Sequence, residues 1–238
     1  MIKLFKKYIL EPYIDLLFPP VCVLCNKNLD DQQRILCVPC LNEIPKYHSS
    51  NSYSFPTKKF DTLYVLYEYD ERVQVLIHLF KYNRFLTLAK YFAQTALNSY
   101  PDITQNDYSA LVPVPLYKTK FRERGYNQST IFAKHLSEQI NTLVSDQYLI
   151  RRRYTLSQTH LNREEREQNV ADAFYCPQEF SGGKILLIDD VITTGSTANA
   201  CADALKRAGA EIVDVFVLAN PVLRVGDAHH SVIKEIEQ

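Results

Sequence analysis

The stretch from Lys184 to Ala219, KILLIDDVITTGSTANACADALKRAGAEIVDVFVLA, constrains the fold more than any other part of the chain. KILLID is an unbroken apolar run of the length expected for a strand buried on both faces. TANACADALKRAGA reads as a helix stopped by a glycine, and EIVDVFVLA as a second strand. Two strands joined by a helix lie parallel in one sheet. The rest of the chain continues the alternation. DTLYVLYEYD alternates like a strand, and RVQVLIHLFKYN and LTLAKYFAQTALNSY have helical spacing. ALVPVPL is a short strand ended by prolines, QSTIFAKHLSEQI a helix, QYLIRRRYT strand-like and NREEREQNV a polar helical turn. The expectation is an α/β fold around a parallel twisted sheet, and 46% hydrophobic residues in 238 supply its core.

Ahead of this pattern stands a different segment. Four of the six cysteines fall as two CxxC pairs, Cys22/Cys25 and Cys37/Cys40, among turn formers such as FPPVC and CNKNLDDQQ. Two thiolates in a CxxC turn reach one metal, and two such turns close a tetrahedral site that suits zinc. The spacer from Asn26 to Leu36 leaves room for a small ribbon or knuckle. A unit of this size cannot bury a core of its own, and a structural zinc would hold it. Disulfides or redox thiols are the alternatives, although a thioredoxin-like CxxC would sit in a strand–helix–strand unit and these do not. Cys176 and Cys201 read as isolated thiols. The polar stretch 46–59 reads as a linker or exposed loop, giving residues 1–50 as an amino-terminal helix and zinc ribbon and 51–238 as the α/β domain.

The acids in IDDVITTGSTA point to a ligand. With a strand over Ile185–Ile188, Asp189 and Asp190 lie at its carboxyl end, the edge where parallel sheets bind ligands. Thr193, Thr194, Ser196 and Thr197 add hydroxyl donors to a helix start that favours phosphate, and Gly195 lets the backbone come close. No lysine follows the glycine, so this is not a Walker loop, and GxGxxG is absent. Adjacent acids repel phosphate but accept hydrogen bonds from paired hydroxyls. A phosphorylated ribose meets both demands. The plainer reading is that the acids cap a helix and the threonines fill a turn.

Formal net charge is zero, so nucleic acid would be attracted only by local patches. One such patch is VPVPLYKTKFRERGYNQS, with Lys118, Lys120, Arg122 and Arg124 beside Tyr126; another is RRRYTLSQTHLNREEREQN, with Arg151 to Arg153, Arg163 and Arg166. These stretches could close over pyrophosphate, contact a nucleic-acid backbone, or simply be solvated surface.

With these residues assembled, LLIDDVITTGSTA resembles the phosphoribosyl pyrophosphate (PRPP) loop of type I phosphoribosyltransferases. The resemblance implies Asp189 and Asp190 on the ribose hydroxyls, Thr193 to Thr197 around the 5′-phosphate, and magnesium with the pyrophosphate. Taken with LFPPVCVLC, CVPC, IHLFKYN, VPVPL and RERGYNQS, the whole chain resembles the ComF family of competence-associated bacterial proteins. That resemblance implies a zinc ribbon fused to a phosphoribosyltransferase-type domain over residues 51–238, with Cys22, Cys25, Cys37 and Cys40 on structural zinc. It implies a role in uptake of transforming DNA, handling single strands alongside the DNA-uptake machinery. Lys81 and Tyr82 match the family's KY at the pyrophosphate loop, and Arg124 to Gln128 its RGxNQ segment. Arg122, Arg124, Asn127 and Gln128 are then candidate contacts to nucleic acid or pyrophosphate. Two departures stand out: Asn83 and Arg84 where a glycine often follows KY, and THL for TGL after Gln158.

Two functions follow as expectations. One is a PRPP-binding competence protein that handles single-stranded DNA. The other is an active phosphoribosyltransferase that moves ribose 5-phosphate to an acceptor; the sequence offers no catalytic base for it. No apolar run is long enough to span a membrane, and the first residues, with an amphipathic pattern broken near Pro12, lack the marks of a signal peptide. The expected location is the cytoplasm, with the inner face of the membrane as the alternative.

Overall fold

The computed structural model describes residues 19–29, 35–47, 58–152 and 173–221. The amphipathic pattern at the start of the chain, the polar turn NREEREQNV, the THL departure and Arg153, Arg163 and Arg166 lie outside these residues. Contacts divide the chain into two compact units, Met1–Ile44 and Pro45–Gln238.

In the first unit the chain turns sharply after Cys22. The Asn26 N–H donates to the Cys22 carbonyl at 2.8 Å and the Cys22 N–H to the Lys27 carbonyl at 2.8 Å. Asn26 takes the left-handed backbone, φ 57°, which asparagine tolerates better than most residues. A short helix, α1 (Val38–Asn42), starts from Cys37, with a proline in its first turn, where a missing N–H costs nothing.

The second unit runs β1 (Leu63–Glu68), α2 (Glu71–Tyr82), α3 (Thr87–Ser99), a 3-10 turn (Pro101–Thr104), β2 (Tyr108–Pro113), α4 (Lys118–Arg124), α5 (Gln128–Ile140), β3 (Ile150–Arg151), β4 (Phe174–Tyr175), β5 (Lys184–Val191), α6 (Ser196–Arg207) and β6 (Ile212–Asn220). Four strands form one sheet in the order β1-β6-β5-β2, every pair parallel; β3 and β4 pair antiparallel. This is the parallel α/β architecture expected from the strand–helix alternation.

The central strands β5 and β6 are buried on both faces, as their continuous apolar sequence requires. One face carries Val65, Val112, Ile185, Leu187, Val213 and Val215 against Cys201, Ala202 and Leu205 of α6. An aromatic cluster packs elsewhere in the core, with Phe132 of α5 5.4 Å from Phe216 of β6 and Phe80 of α2 5.7 Å from Phe92 of α3. Burying about 25 cal/mol per Å2 of such surface is the main stabilising force. The acid within β6, Asp214, is 1% exposed. It is fully paired: it accepts from Tyr108 Oη at 2.8 Å and the Thr62 N–H at 3.0 Å, and pairs with Lys184 Nζ at 3.1 Å.

Both sheet edges are covered. Lys46 bridges Tyr67 antiparallel, with the Tyr47 N–H donating to the Leu66 carbonyl at 3.3 Å. At the other edge Leu111 bridges Val144. Covered edges leave few unpaired groups to recruit another strand. Several local expectations change. Residues 46–47 begin the α/β unit's edge rather than a linker. Among the described residues of QYLIRRRYT, Ile150–Arg151 form a strand. The alternation in β1 does not mark a solvated face: Tyr64 to Tyr67 are all buried, because aromatic rings from α3 and the 100–104 region cover the tyrosines. The stretch from Lys118 to Arg124 is a helix although it has no apolar stripe, and none of its residues is buried.

Candidate functional site

The acids sit inside strand β5, which continues through Val191 instead of ending at Ile188. In a strand successive side chains point to opposite faces, so Asp189 and Asp190 have different surroundings. Asp189 shares its face with Ile185 and Leu187 above α6, and its Oδ1 accepts the Asp190 N–H at 2.9 Å. Burial, and then the neighbouring Asp190 charge, push its carboxyl up to about 7. Asp190 is 8% exposed. Burial works against its charge too, but Lys81, Arg124 and Gln128 outweigh it and hold the carboxyl below its ordinary range.

Those partners form a chain of contacts. Lys81 Nζ lies 3.0 Å from Asp190 Oδ2, and Gln128 Nε2 donates to the same oxygen at 2.6 Å. The other end of the Gln128 amide accepts from Arg124. Arg124 donates to Tyr82 Oη at 3.4 Å, with its guanidinium 4.9 Å from the centre of the Tyr82 ring. Tyr82 follows Lys81 in the chain, so the contacts close a ring: Asp190, Lys81, Tyr82, Arg124, Gln128 and back. The last turn of α2 supplies Lys81 and Tyr82, the last residue of α4 supplies Arg124, and the first residue of α5 supplies Gln128.

Local sequence explains how those elements meet. Gly125 ends α4 with φ 81°, a left-handed backbone, and a Cβ there would come 3.2 Å from the Arg84 guanidinium. Asn127 caps α5, its Oδ1 accepting the Ser129 N–H at 3.0 Å, while its Nδ2 donates to the Val114 carbonyl at 2.9 Å. Tyr126 donates to the Phe80 carbonyl, tying the α4–α5 turn to the end of α2. Arg84 has φ 54°. Where a glycine often stands, this arginine keeps the left-handed backbone, at a cost of about 1 kcal/mol.

The loop after β5 leads into α6 through Gly195, φ 78°. Thr194 Oγ1 and Ser196 Oγ are 2.8 Å apart. Asn220, at the end of β6, donates through Nδ2 to the Ile192 carbonyl at 2.9 Å and so props the loop from below. The hydroxyls, the first N–H groups of a 12-residue helix and the acid-bearing strand end thus lie together.

The four cysteine sulfurs of the first unit lie within 4.8 Å of one another, with Cys25 and Cys37 Sγ 3.6 Å apart. A tetrahedral zinc with bonds of about 2.3 Å spaces its sulfurs by roughly 3.8 Å, so this donor set fits a metal ion. Burial opposes a charge on Cys22, but backbone hydrogen bonds from Cys37, Leu24 and Cys25 outweigh it and lower the thiol to about 6. Hydrogen bonding to Cys37, together with burial, pushes Cys40 the other way.

Residues 127–235 match the phosphoribosyl transferase domain. Competence protein F of Haemophilus influenzae is 27% identical over 219 residues, which covers 83% of this chain and 96% of that protein. These matches bear out the resemblance to the ComF family. Two further relatives agree. The DNA utilization protein YhgH of Salmonella typhimurium is 29% identical over 83% of this chain and 89% of its own length. Competence protein ComFC of Bacillus subtilis is 26% identical over 60% of this chain and 58% of its own.

The structure brings Asp190, Lys81, Tyr82, Arg124 and Gln128 into one site. Thr193 to Thr197 stand on the adjoining loop. Two candidates for ligand contact have internal partners. Asn127 serves as a helix cap, and Gln128 is 3% exposed, facing Asp190 rather than solvent. Arg122 is exposed on α4, with Lys118 and Lys120. Asn220 and the bridging role of Gln128 were not anticipated. The only hint was position, each standing at the end of a strand or the start of a helix. Among the described residues no helix is long and apolar enough to cross a membrane.

Proposed function

We propose that this chain is a natural-competence protein that binds PRPP with magnesium at the carboxyl edge of its sheet. In this reading a structural zinc on Cys22, Cys25, Cys37 and Cys40 holds the amino-terminal unit, and the protein handles single-stranded DNA on the cytoplasmic side, alongside the uptake machinery. The observation that carries it is Asp190, a buried carboxylate kept charged by Lys81 beside a hydroxyl-bearing loop and a helix start. Asp189 and Asp190 would accept the ribose hydroxyls. Thr193, Thr194, Gly195, Ser196 and Thr197 would surround the 5′-phosphate, with Thr194 and Ser196 turning their hydroxyls from each other to the ligand. Lys81, beside Tyr82, would face the pyrophosphate, whose charge magnesium would help to neutralise. The names of the relatives, competence and DNA utilization proteins, support the biological setting.

The DNA contact falls on α4. Lys118, Lys120 and Arg122 are exposed, Phe121 is 49% exposed among them, and Tyr82 lies beside Arg124. Cations interleaved with rings suit a single strand, whose bases stack while its phosphates pair. Arg122→Gln should weaken oligonucleotide binding and reduce the slope of log K against log salt by about 0.7, the share of one phosphate contact on a single strand. An unchanged slope in fluorescence anisotropy would remove Arg122 from the interface.

Transfer of the phosphoribosyl group is the second reading. The phosphoribosyl transferase domain match favours it, as do Lys81 and Arg124, placed to stabilise a departing pyrophosphate. Incubating the protein with PRPP and magnesium, with and without single-stranded DNA and free bases, separates the two. Binding without pyrophosphate release is expected; release that depends on one acceptor would establish the enzyme instead.

A further inference from the structure

We propose that the phosphoribosyl site and the DNA-binding helix α4 share Arg124, so that bound PRPP and a bound single strand oppose one another. The inference rests on the PRPP and single-strand reading above and adds its regulation. It comes from the closed ring of contacts.

Asp190 Oδ2 already accepts from both Lys81 and Gln128. A carboxylate oxygen offers two lone pairs, so ribose hydroxyls placed on Asp190 compete with both partners. Lys81, once released, has the pyrophosphate to pair with. Gln128 is held more narrowly. Its Nε2 is fixed by Asp190, and that is what aims its Oε1 at Arg124. When Asp190 turns to the ligand, the Gln128 amide loses its anchor and Arg124 loses its partner. Arg124 is the half-buried cation of α4, close enough to Asp190 to act on its charge.

The single strand needs the opposite arrangement. In the closed ring the Arg124 guanidinium lies 4.9 Å from the centre of the Tyr82 ring, which is 49% exposed, and His78 lies 4.9 Å from the same ring at a tilt of 46°. The exposed Tyr82 ring is a platform for a base, with the Arg124 guanidinium and the other cations of α4 beside it for phosphate. Opening the ring takes the guanidinium off the platform. One cation cannot serve both ligands, and linkage makes the opposition reciprocal: each ligand weakens the other by the same factor.

The test uses the full zinc-loaded chain, a labelled oligothymidylate read by anisotropy, and PRPP with magnesium read separately by calorimetry. Saturating PRPP should raise the oligonucleotide Kd about tenfold, and saturating oligonucleotide should raise the PRPP Kd equally. Magnesium pyrophosphate at the same concentration controls for plain ionic competition and should shift the oligonucleotide Kd by less than about twofold. Gln128→Met, which keeps the side chain's length but not its hydrogen bonds, should collapse the mutual effect. Arg122→Gln should weaken the oligonucleotide yet keep the PRPP-induced factor. PRPP binding with no change, or a tightening, in oligonucleotide affinity would overturn the coupling and leave the PRPP reading standing. A shift equal to that from pyrophosphate would also overturn it. No calorimetric binding of PRPP would overturn the underlying reading, and the coupling with it.

Discussion

Replacing Asp189 and Asp190 together by alanine should cost PRPP affinity about 100-fold or more while the sheet domain stays folded. Hydrogen bonds to a charged group contribute about 1.5–3 kcal/mol each, so losing two removes about 3 kcal/mol or more, at about 1.4 kcal/mol per tenfold. Asp190→Ala alone should account for most of the loss, because Asp190 keeps its charge beside Lys81. It also strands Lys81 and Gln128, so Asp190→Asn is the better single variant: it keeps the shape and an acceptor but not the charge. Calorimetry reads the affinity and circular dichroism the fold. Unchanged PRPP affinity in the double variant would end the ribose assignment.

The same pair predicts a pH dependence. Asp189 ionises near 7 in the folded chain against 3.8 for an ordinary aspartate. A ribose hydroxyl donating to Asp189 favours the carboxylate, so below about pH 7 binding must first expel a proton. PRPP affinity should therefore fall as pH drops, by up to tenfold per unit below the pKa, with proton release in calorimetry at pH 6. Asp189→Asn should flatten the profile; an equally steep profile in that variant would assign the dependence to the ligand's own phosphate. For stability the sign is opposite. A folded pKa raised above the unfolded value stabilises the protonated form, and that contribution is lost as pH rises from about 4 to about 7.

How far the sequence could be read depends on the range of the interactions. KILLID and EIVDVFVLA are parallel central strands, as their continuous apolar runs demand, and QSTIFAKHLSEQI is helix α5 residue for residue. The cysteine pairs meet because each CxxC is a local turn. What went unread is tertiary. Ending the strand at Ile188 made the acids look like equals on a loop; ladder pairing through Val191 separates them by the strand's own alternation. The contact of Gln128 with Asp190 joins residues 62 apart, and no local pattern reports it. Helix α4 was missed because it buries nothing and so has no stripe. Arg84 stands where the resemblance expects glycine, and only the backbone shows that it is left-handed.

Removing zinc should unfold the first unit and spare the second. Its described core is small: Cys22, Leu29, Leu36, Cys37 and Ile44 are the buried hydrophobic residues of that unit. Two of these five are the cysteines themselves, so the apolar remainder cannot offset the chain entropy of ordering some 25 residues at about 1–2 kcal/mol each. A structural zinc contributes roughly 10 kcal/mol or more toward that cost. The second unit has its own sheet and aromatic core and does not depend on the ion. Chelation, or Cys37→Ser, should therefore open the stretch around residues 19–44 to protease while the melting transition of the α/β unit is kept, and one zinc per chain should be lost by elemental analysis. Free thiols separate this from a disulfide, since six titratable cysteines are expected once the metal is removed under denaturing conditions. Metal-free protein that resists protease over those residues as well as the loaded form would show that something other than zinc holds the unit together.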